Sequence, residues 1–308
     1  MVELTIGSDP EFILVSGEKQ IPARNVFRSS RNRTTTPLGV DGYSDTGELR
    51  PKPASDPIQH FRNLRELMHY SWGTIFRDEW VKKNHSTNLK MCAGSTGAGK
   101  GYYLGGHIHF SSKTKNLQDT IIQNNISRAL DQYLALPMLF IEQKPYNINR
   151  RVRSPSRFGA LSATQSKRWG FEYRTLSSWL ISPDIAKGVL CLAYTIAYEV
   201  LLKDKIVAQE IKRNFEDAFN NANTESLKSA LPVLFKKIKK FQLYKTYKKQ
   251  INYIYKRALS EQTWDESCDV WYNWRGDSPR MNNLRNGQIL THTPPQPQQD
   301  LVKCLLST

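Results

Sequence analysis

Apolar residues recur at helical spacing in three stretches of the chain. The first stretch follows Asp56, a natural N-cap residue before Pro57, and the second runs over residues 116–136. The third begins near Ser182 and continues to about residue 219. The apolar stripe of the first helix consists of Ile58, Phe61, Leu64, Leu67 and Met68. We therefore predict three long amphipathic or buried helices.

Shorter stretches alternate between apolar and polar residues, which is typical of strands with one buried face. They cover residues 4–15, 47–50, 107–110 and 169–179, and the second ends at Pro51 and Pro53, which cannot continue a sheet ladder. Helices and strands mixed in this way predict an α+β fold.

Each predicted strand carries two polar residues spaced i and i+2, so both side chains of a pair point to the same face. For any single pair, a solvent-facing strand is the favoured interpretation. Together the pairs supply acids and imidazoles that suit Mg²⁺ or Mn²⁺, and arginines that suit phosphates. This combination predicts a site for a metal-bound nucleotide. The pairs are Asp9 with Glu11, Glu48 with Arg50, His107 with His109, and Glu172 with Arg174.

A glycine-rich segment, GSTGAGKG at residues 94–101, begins with the pattern G-x-x-x-x-G-K of phosphate-binding loops. Such a loop needs Ser or Thr after the lysine and a helix that begins there. Here Gly101 follows Lys100, and an alternating stretch follows in turn. We therefore predict that the segment is a connection between two strands rather than a phosphate-binding loop.

The chain of 308 residues carries a formal net charge of +16, which favours polyanionic partners. Every charged residue between positions 226 and 260 is Lys or Arg, and aromatic residues are interleaved with them. A helical pair with packed aromatic residues and solvated lysines is the favoured interpretation, and a surface for nucleic acid is the alternative.

Several expectations concern what the chain lacks. Its four cysteines have no C-x-x-C spacing, so we expect reduced thiols and no zinc site, with Cys191 packed in a helix. The N-terminus lacks the pattern of a secretory signal, and the apolar run 189–202 is short and contains Glu199. We expect a cytoplasmic protein, in the host cytoplasm if viral, without membrane contact. The histidines expected at the surface are His60, His69, His85 and His292.

Five segments in a fixed order resemble the phage-type amidoligases, or COOH-NH2 ligases, which are relatives of glutamine synthetase and glutamate-cysteine ligase. The resemblance covers residues 3 to about 200. The segments are SDPEF, GVDGYSDTGELRP, GGHIHF, RFG within an arginine-rich stretch, and FEYRTLSSWLISP.

The resemblance implies that ATP phosphorylates a carboxylate and that an amine then displaces phosphate to form an amide, with Mg²⁺ or Mn²⁺ on one face of a curved sheet. It assigns the metal ligands to Asp9, Glu11, Glu48, His107 and Glu172. It assigns catalytic roles to Arg174, Arg50 and Glu172, and ATP binding to Arg174, Arg157, Arg153 and Lys100. Asp41, His109 and Arg151 are further candidates.

The resulting expectation is an ATP- and Mg²⁺-dependent carboxylate-amine ligase. We expect an α+β fold with a curved, mainly antiparallel sheet of the glutamine-synthetase type, helices on one face and a helical C-terminal extension. Predicted divisions are a catalytic core at 1–222, a basic helical extension at 223–286 and a Pro/Gln-rich tail at 287–308. Expected partners are small-molecule or peptide carboxylates and amines, with nucleic acid as a candidate for the basic segment. The alternatives are a nucleic-acid-binding protein with a non-catalytic ligase-like sheet, and a kinase that uses the same ATP face.

Overall fold

The computed structural model describes residues 2–27, 36–41, 45–85, 89–97, 99, 101–153, 158–203 and 213–275. Eight strands in this part of the chain form one sheet. They are β1 (Thr5–Ser16), β2 (Lys19–Ile21), β3 (Leu38–Val40), β4 (Gly47–Leu49), β5 (Leu89–Cys92), β6 (Gly106–Ser111), β7 (Thr164–Lys167) and β8 (Gly170–Tyr173).

Twelve α-helices are described. They are α1 (Ala23–Val26), α2 (Pro57–Arg77), α3 (Glu79–His85), α4 (Thr120–Leu130), α5 (Leu136–Ile141), α6 (Tyr146–Ile148), α7 (Pro183–Lys203), α8 (Arg213–Asn220), α9 (Thr224–Leu227), α10 (Ala230–Ile238), α11 (Lys248–Leu259) and α12 (Val270–Arg275). Two wider π-helical segments occupy Asp131–Ala135 and Asn149–Arg153.

The sheet is antiparallel throughout, with the strand order β3-β4-β1-β6-β8-β7. The second half of β1 also pairs with β2 and β5, so the long strand β1 is central to the sheet. This arrangement confirms the predicted α+β class with a mainly antiparallel sheet.

Helices cover the apolar face of the sheet. Ile6, Ile108 and Phe171 belong to one buried cluster that continues into α2, α4 and α7. Helix α7 packs against α2, α4 and α11, and most of its residues are buried, including Cys191. By length and composition α7 would suffice to cross a membrane, but 83% of its most apolar window is buried within the protein, as in a core helix.

Two predicted elements have different boundaries in the structure. The helix predicted at 116–136 begins at Thr120, where Asp119 caps it, and changes to the π-helical segment at Asp131. Pro137, which cannot donate a backbone hydrogen bond, follows that segment and accounts for the local widening. The helix predicted from 182 to about 219 is present as α7 and α8, and residues 204–212 lie outside the described part.

The strand predicted at 169–179 is regular only over β8. The carbonyl groups of Thr175 and Leu176 instead accept hydrogen bonds from the buried guanidinium of Arg150, at 3.0 and 2.9 Å. Beyond them, Ser177 and Ser178 form isolated bridges to Gly105 and Gly94. The alternating sequence is therefore buried here, and its backbone hydrogen-bonds both to the Arg150 side chain and to the backbone of Gly94 and Gly106.

Helix α11 and the segment before it bury several aromatic residues and expose most of their lysines. Helix α11 packs on α7 and α5, and the residues buried there and in the preceding segment include Phe241, Tyr244, Tyr247 and Tyr255. This agrees with the packing interpretation of the basic segment. The division at residues 222 and 286 stays a prediction, and the tail 287–308 lies outside the described residues.

Candidate active site

Polar side chains from four neighbouring strands meet on the sheet face opposite the helices. Asp9 on β1 lies directly opposite His107 on β6, and His109 lies opposite Glu172 on β8. On the other side of β1, Glu11 lies opposite Glu48 on β4. Because side chains alternate along a strand, these residues share one face. The shared face predicted from the i, i+2 spacing is therefore present.

Glycines before β6 let the strand approach its neighbours closely. A Cβ atom at Gly105 would lie 2.1 Å from Nε2 of His107, and one at Gly106 would lie 2.4 Å from the carbonyl oxygen of Ser177. The pair of glycines in GGHIHF therefore leaves room for the His107 imidazole against the backbone that leads into it.

Asp9 is at the centre of the group. Its Oδ1 lies 3.0 Å from Nε2 of His109 and 3.3 Å from Nδ1 of His107, and the same Nδ1 lies 3.1 Å from Oε1 of Glu172. Burial alone would raise the pKa of Asp9, but the two imidazoles outweigh it and hold that pKa well below its usual range. Burial lowers the pKa of His107, and the surrounding carboxylates reverse this and raise it.

Glu11 is a buried carboxylate tied to the backbone. Its Oε2 accepts a hydrogen bond of 2.7 Å from the amide of Gly105, and its Oε1 lies 3.9 Å from Nε2 of His107. Burial raises the pKa of Glu11 to about 7, and the nearby charge of Asp41 adds to the effect. A bound cation would favour the ionised form.

Glu48 contacts the guanidinium of Arg50, which also donates to the carbonyl groups of Thr36 and Val40, each at 3.1 Å. Burial, followed by the charge of Asp9, raises the pKa of Glu48, and Arg50 opposes this shift. Arg50 therefore holds β3 and β4 around Glu48. It also lines the cavity described below.

Glu172 is only 3% exposed and is surrounded by positive groups. Its Oε2 lies 2.9 Å from Nζ of Lys167, and its Oε1 lies 3.3 Å from Nε of Arg174. Both cationic side chains also donate to Oε1 of Gln165, at 2.9 and 3.0 Å. All four residues belong to the β7–β8 hairpin or follow it directly.

One ligand atom from each of Asp9, His109 and Glu172 lies within 4.8 Å of the other two. Oδ1 of Asp9 and Nε2 of His109 are buried and close, but they are not aligned for a hydrogen bond and have no other hydrogen-bond partner. Buried polar atoms without partners are uncommon, and a cation between them would satisfy both. The donor set of carboxylates and imidazole therefore fits Mg²⁺ or Mn²⁺.

These residues form the floor of a cavity of about 590 Å³. One end carries the acids Asp9, Asp41 and Glu48, and the other end carries Thr5, Ser111 and the half-exposed ring of Trp169. Trp169 also packs near His109, with ring centroids 5.2 Å apart. The cavity therefore has an acidic end and an aromatic end, with Lys167 and Arg174 on the hairpin wall.

Some residues singled out from the sequence lie elsewhere. Arg151 is buried and pairs with Glu142, at 3.1 Å between its Nη2 and Oε1, so it does not reach the cavity. Lys100, Arg157 and the side chain of Arg153 lie outside the described residues. The prediction that His60 lies at the surface is wrong, because His60 is fully buried and hydrogen-bonded to Ser8 at 2.8 Å.

Three residues that sequence reasoning missed are Lys167, Trp169 and Glu266. The first two lie on a hairpin whose polar sequence TQSKRWG lacks the alternation of a half-buried strand. The only feature of the sequence that points to them is their position, since the hairpin directly precedes the FEYR segment. Glu266 is distant in sequence and reaches the glycine-rich segment only through folding.

The glycine-rich segment joins β5 to β6, as predicted, and a strand rather than a helix follows it. The amides of Ser95 and Thr96 donate to the carboxylate of Glu266, at 2.6 and 3.0 Å. A carboxylate of the chain itself therefore occupies these amides, which is inconsistent with a phosphate-binding loop at this position.

Comparison with known proteins also indicates a ligase. The sequence model of the family described as phage phiEco32-like COOH.NH2 ligase-type 2 matches residues 6–275. No curated protein matches the chain by sequence.

Two solved structures of ligases share the fold at low sequence identity. Glutamate-cysteine ligase from Francisella tularensis, in complex with AMP, has a TM-score of 0.57 at 12% identity over 99% of this chain and 92% of that chain. The ligase PafA, in complex with the prokaryotic ubiquitin-like protein Pup, has a TM-score of 0.59 at 11% identity over 94% of this chain and 70% of that chain. A bifunctional glutathione synthetase from Pasteurella multocida has a TM-score of 0.47 at 13% identity over 87% of this chain, which spans 48% of that protein.

Proposed function

This chain belongs to the phage phiEco32-like COOH.NH2 ligase-type 2 family, and from that membership we propose that it forms an amide bond between a carboxylate and an amine with ATP and Mg²⁺. The observation that carries the proposal is the single sheet face on which Asp9, His109 and Glu172 converge beside Lys167 and Arg174. Acids that bind a cation and cations that bind phosphate are both needed to hold ATP, since carboxylates alone repel it.

Asp9, Glu11, Glu48, His107 and Glu172 would hold the metal, with His109 as a further ligand. When bound, Mg²⁺ supplies positive charge that polarises a phosphoryl oxygen. The ligands are positioned before any cation binds, because strand register fixes Asp9 against His107 and Glu11 against Glu48. The hydrogen bond from Gly105 to Glu11 and the contact of Arg50 with Glu48 orient two of the carboxylates.

Lys167 and Arg174 are proposed to bind the phosphates of ATP. Both now neutralise Glu172, and a cation on Glu172 would take over that task. The two side chains would then be available to the phosphoryl group, where charge develops during transfer. Arg174 is the more exposed of the pair and contacts Glu172 less closely, which suits a group that changes partner.

The aromatic end of the cavity is proposed to hold the base of ATP. The ring of Trp169 is 48% exposed, and Thr5 and Ser111 offer hydroxyl groups on the neighbouring floor. A flat aromatic surface next to neutral hydrogen-bonding groups suits a purine better than the acidic end does.

In the proposed reaction the substrate carboxylate attacks the terminal phosphorus of ATP, and the bond from that phosphorus to ADP breaks. The amine then attacks the acyl carbon of the resulting acyl phosphate, inorganic phosphate leaves, and the amine nitrogen loses one proton. The products are an amide, ADP and phosphate. The carboxylate and amine are proposed to be small molecules or peptide groups.

The test combines binding and turnover. Titration calorimetry should detect Mn²⁺ binding to the wild-type protein, and ADP release from ATP and Mg²⁺ with pooled carboxylates and amines should yield new masses that correspond to loss of water. Glu172→Gln should abolish both signals, whereas Glu66→Gln, at an exposed position of α2, should change neither. Turnover without Mn²⁺ or Mg²⁺, or an unaffected Glu172→Gln variant, would contradict the proposal.

A second proposed function concerns the basic face, defined here as the exposed Lys236, Lys239, Lys240, Lys245, Lys248, Lys249 and Lys256. A groove of about 460 Å³ at this face is lined by Lys187, Lys249 and Lys256, with Asp184 as its acid. We propose that the face binds a polyphosphate backbone such as single-stranded nucleic acid. It lies on the helical side of the molecule, away from the cavity, so it would dock the protein rather than bind the reacting groups.

Fluorescence anisotropy with a labelled single-stranded oligonucleotide tests this second function. Binding should weaken steeply with salt, and Lys249→Glu with Lys256→Glu should weaken it at least tenfold while ADP release stays unchanged. Equal binding by the double variant would exclude the basic face as the site.

A further inference from the structure

The glycine-rich segment is anchored at its base by a carboxylate from the C-terminal part of the chain. Glu266 is fully buried and accepts hydrogen bonds from the amides of Ser95 and Thr96, at 2.6 and 3.0 Å. The indole of Trp264 donates to the same carboxylate at 3.2 Å. Three N–H donors therefore converge on one buried carboxylate. Hydrogen bonds to a charged group are stronger than those between neutral groups, so this contact holds the segment firmly.

The backbone is constrained on both sides of this contact. Gly94 has a φ of +97°, and a Cβ atom there would lie 2.4 Å from Cδ of Glu266. The backbone of Glu266 is held in turn, because its amide donates to Oε1 of Gln143 at 2.7 Å. The carboxylate and the loop base therefore have little freedom to separate.

The other end of the same segment reaches Glu11, whose Oε1 lies 3.9 Å from Nε2 of the cavity residue His107. Leu104 donates from its amide to the carbonyl of Ser95 at 3.1 Å, which ties the two ends of the segment together. The next amide, that of Gly105, donates to Oε2 of Glu11 at 2.7 Å. Arg150 donates to the carbonyl of Leu104 at 3.0 Å and holds this end of the segment in place. A short series of hydrogen bonds therefore connects Glu266 to Glu11.

We infer that Glu266 is a positioning residue for the cation site, which it serves by fixing the glycine-rich segment so that the Gly105 amide holds the Glu11 carboxylate in place. The inference rests on the proposed function, because Glu11 matters here as a ligand. It assigns Glu266 to the machinery of the cavity, although this residue follows the basic helices in sequence.

The substitution Glu266→Gln removes the charge of the side chain and keeps its size and shape. A glutamine amide has one oxygen, so it can accept from Ser95 or from Thr96, and its NH2 group then faces the other backbone N–H. One buried donor is left without a partner, and the loop base should loosen. Glu266→Asp keeps the charge on a shorter side chain and should rescue part of the loss. Glu261→Gln is the matched control, because Glu261 is exposed in the same segment and pairs with Lys228.

Hydrogen exchange and Mn²⁺ titration calorimetry are the two measurements. In Glu266→Gln we expect exchange across residues 93–105 to rise at least tenfold and Mn²⁺ affinity to fall about tenfold, with an intermediate loss in Glu266→Asp and no change in Glu261→Gln. Faster exchange with unchanged Mn²⁺ affinity would overturn the inference and leave Glu266 a structural residue.

The inference and the proposed function fail in different ways. If the wild-type protein bound no Mn²⁺, the proposed function would fail, and with it the role of Glu266 at a cation site. If it bound Mn²⁺ but the amides of Ser95 and Thr96 exchanged as fast as an open turn, the inference alone would fail. This second measurement needs no variant, so it decides the matter even if Glu266→Gln does not fold.

Discussion

At the scale of residues, a group of buried acids is held close together in the cavity floor. Holding them there is costly: burial raises the pKa of Glu11 to about 7, and the like charge of Asp41 adds to the shift. Imidazoles on the neighbouring strand offset part of it. Fixed contacts hold three of these carboxylates in place: Glu11 accepts from the Gly105 amide, Glu48 contacts Arg50, and Glu172 contacts Lys167.

The first prediction compares a metal ligand with the lysine of the glycine-rich segment. His107→Ala should bring ADP release at saturating Mg²⁺ near background, because it removes an imidazole from the centre of the cluster. Lys100→Ala should cost about tenfold, or roughly 1 to 2 kcal/mol, as the loss of one exposed charged contact does. The reverse order, with Lys100→Ala inactive and His107→Ala active, would mean that the glycine-rich segment is the nucleotide site.

The second prediction separates phosphate binding from metal binding. Lys167→Met keeps the length of the side chain and removes the charge beside Glu172, so Mn²⁺ binding should be unchanged or tighter. The KM for ATP should rise about tenfold, since one charged contact to a phosphate is lost. Steady-state kinetics and calorimetry measure the two effects, and Lys113→Met, at an exposed position, is the control. Weaker Mn²⁺ binding in Lys167→Met would contradict the assignment.

The third prediction concerns His60 and pH. Burial lowers the pKa of His60 from 6.5 to about 4, so between these values the unfolded chain binds a proton that the folded protein does not. Stability is therefore retained above pH 6.5 and lost as the pH falls toward 4, by up to about 3 kcal/mol. The pKa of Asp131, which burial raises to about 6, acts in the opposite direction, so the comparison needs a variant.

Urea unfolding of the wild type and His60→Gln at pH 7.5 and pH 4.5 gives that comparison. The variant should lose less stability on acidification than the wild type, because its side chain does not titrate. Equal losses in both proteins would show that the His60 imidazole does not carry the effect.

The residue scale also shows what a sequence can and cannot reveal. Asp9, Glu48, His107 and Glu172 could be placed on one face because strand geometry repeats every two residues. Glu266 could not, because 171 residues separate it from Ser95 and no local pattern links them. The burial of His60 depends on Ser8 in a distant strand, and Arg151 has a buried partner in Glu142 that its basic surroundings conceal.

At the scale of elements, the β7–β8 hairpin supplies Gln165, Lys167, Trp169 and Glu172 to one wall of the cavity. The first strand of the hairpin, β7, is short and polar, so the sequence did not predict it, whereas β8 lies within the strand predicted at 169–179. Helices were predicted more reliably, because apolar spacing and caps such as Asp56 are local signals. Their ends shifted where tertiary contacts intervened, as at the π-helical segment before Pro137.

The fourth prediction tests the aromatic end of this wall. Trp169→Ala should raise the KM for ATP about tenfold, as loss of one base-stacking partner does, with little change in kcat. Trp169→Phe should restore most of the affinity. Binding of a non-hydrolysable ATP analogue should change the fluorescence of the wild type, and Trp72→Phe serves as a control on α2. An unchanged KM in Trp169→Ala would exclude stacking.

At the scale of the whole molecule, the last part of the chain that the structure describes packs into the core rather than forming an appendage. Trp264, Trp271 and Trp274 are each no more than 2% exposed, and the Trp274 indole donates to the carbonyl of Leu180 at 2.7 Å. The preceding segment is basic, so its sequence suggests a surface role. Its larger contribution to stability comes from the burial of its aromatic side chains.

The fifth prediction follows from that burial. Truncation after residue 260 removes these indoles and Glu266 together, and the product should not give a cooperative unfolding transition, because each lost indole costs about 3 to 5 kcal/mol. Truncation after residue 275 should leave the unfolding transition intact. Circular dichroism during heating distinguishes the two, and a cooperative transition in the shorter protein would contradict the prediction.

The contact between Glu266 and the glycine-rich segment also sets an order of events during synthesis on the ribosome. Every acid and imidazole of the cavity floor has been translated once Glu172 has been added, but the residue that anchors the loop beside Glu11 comes 94 positions later. At roughly 5 to 20 residues per second, that interval lasts about 5 to 20 s. The nascent chain therefore carries the whole ligand set before it can complete the site, which requires that Glu266 has also been added and has folded against the glycine-rich segment.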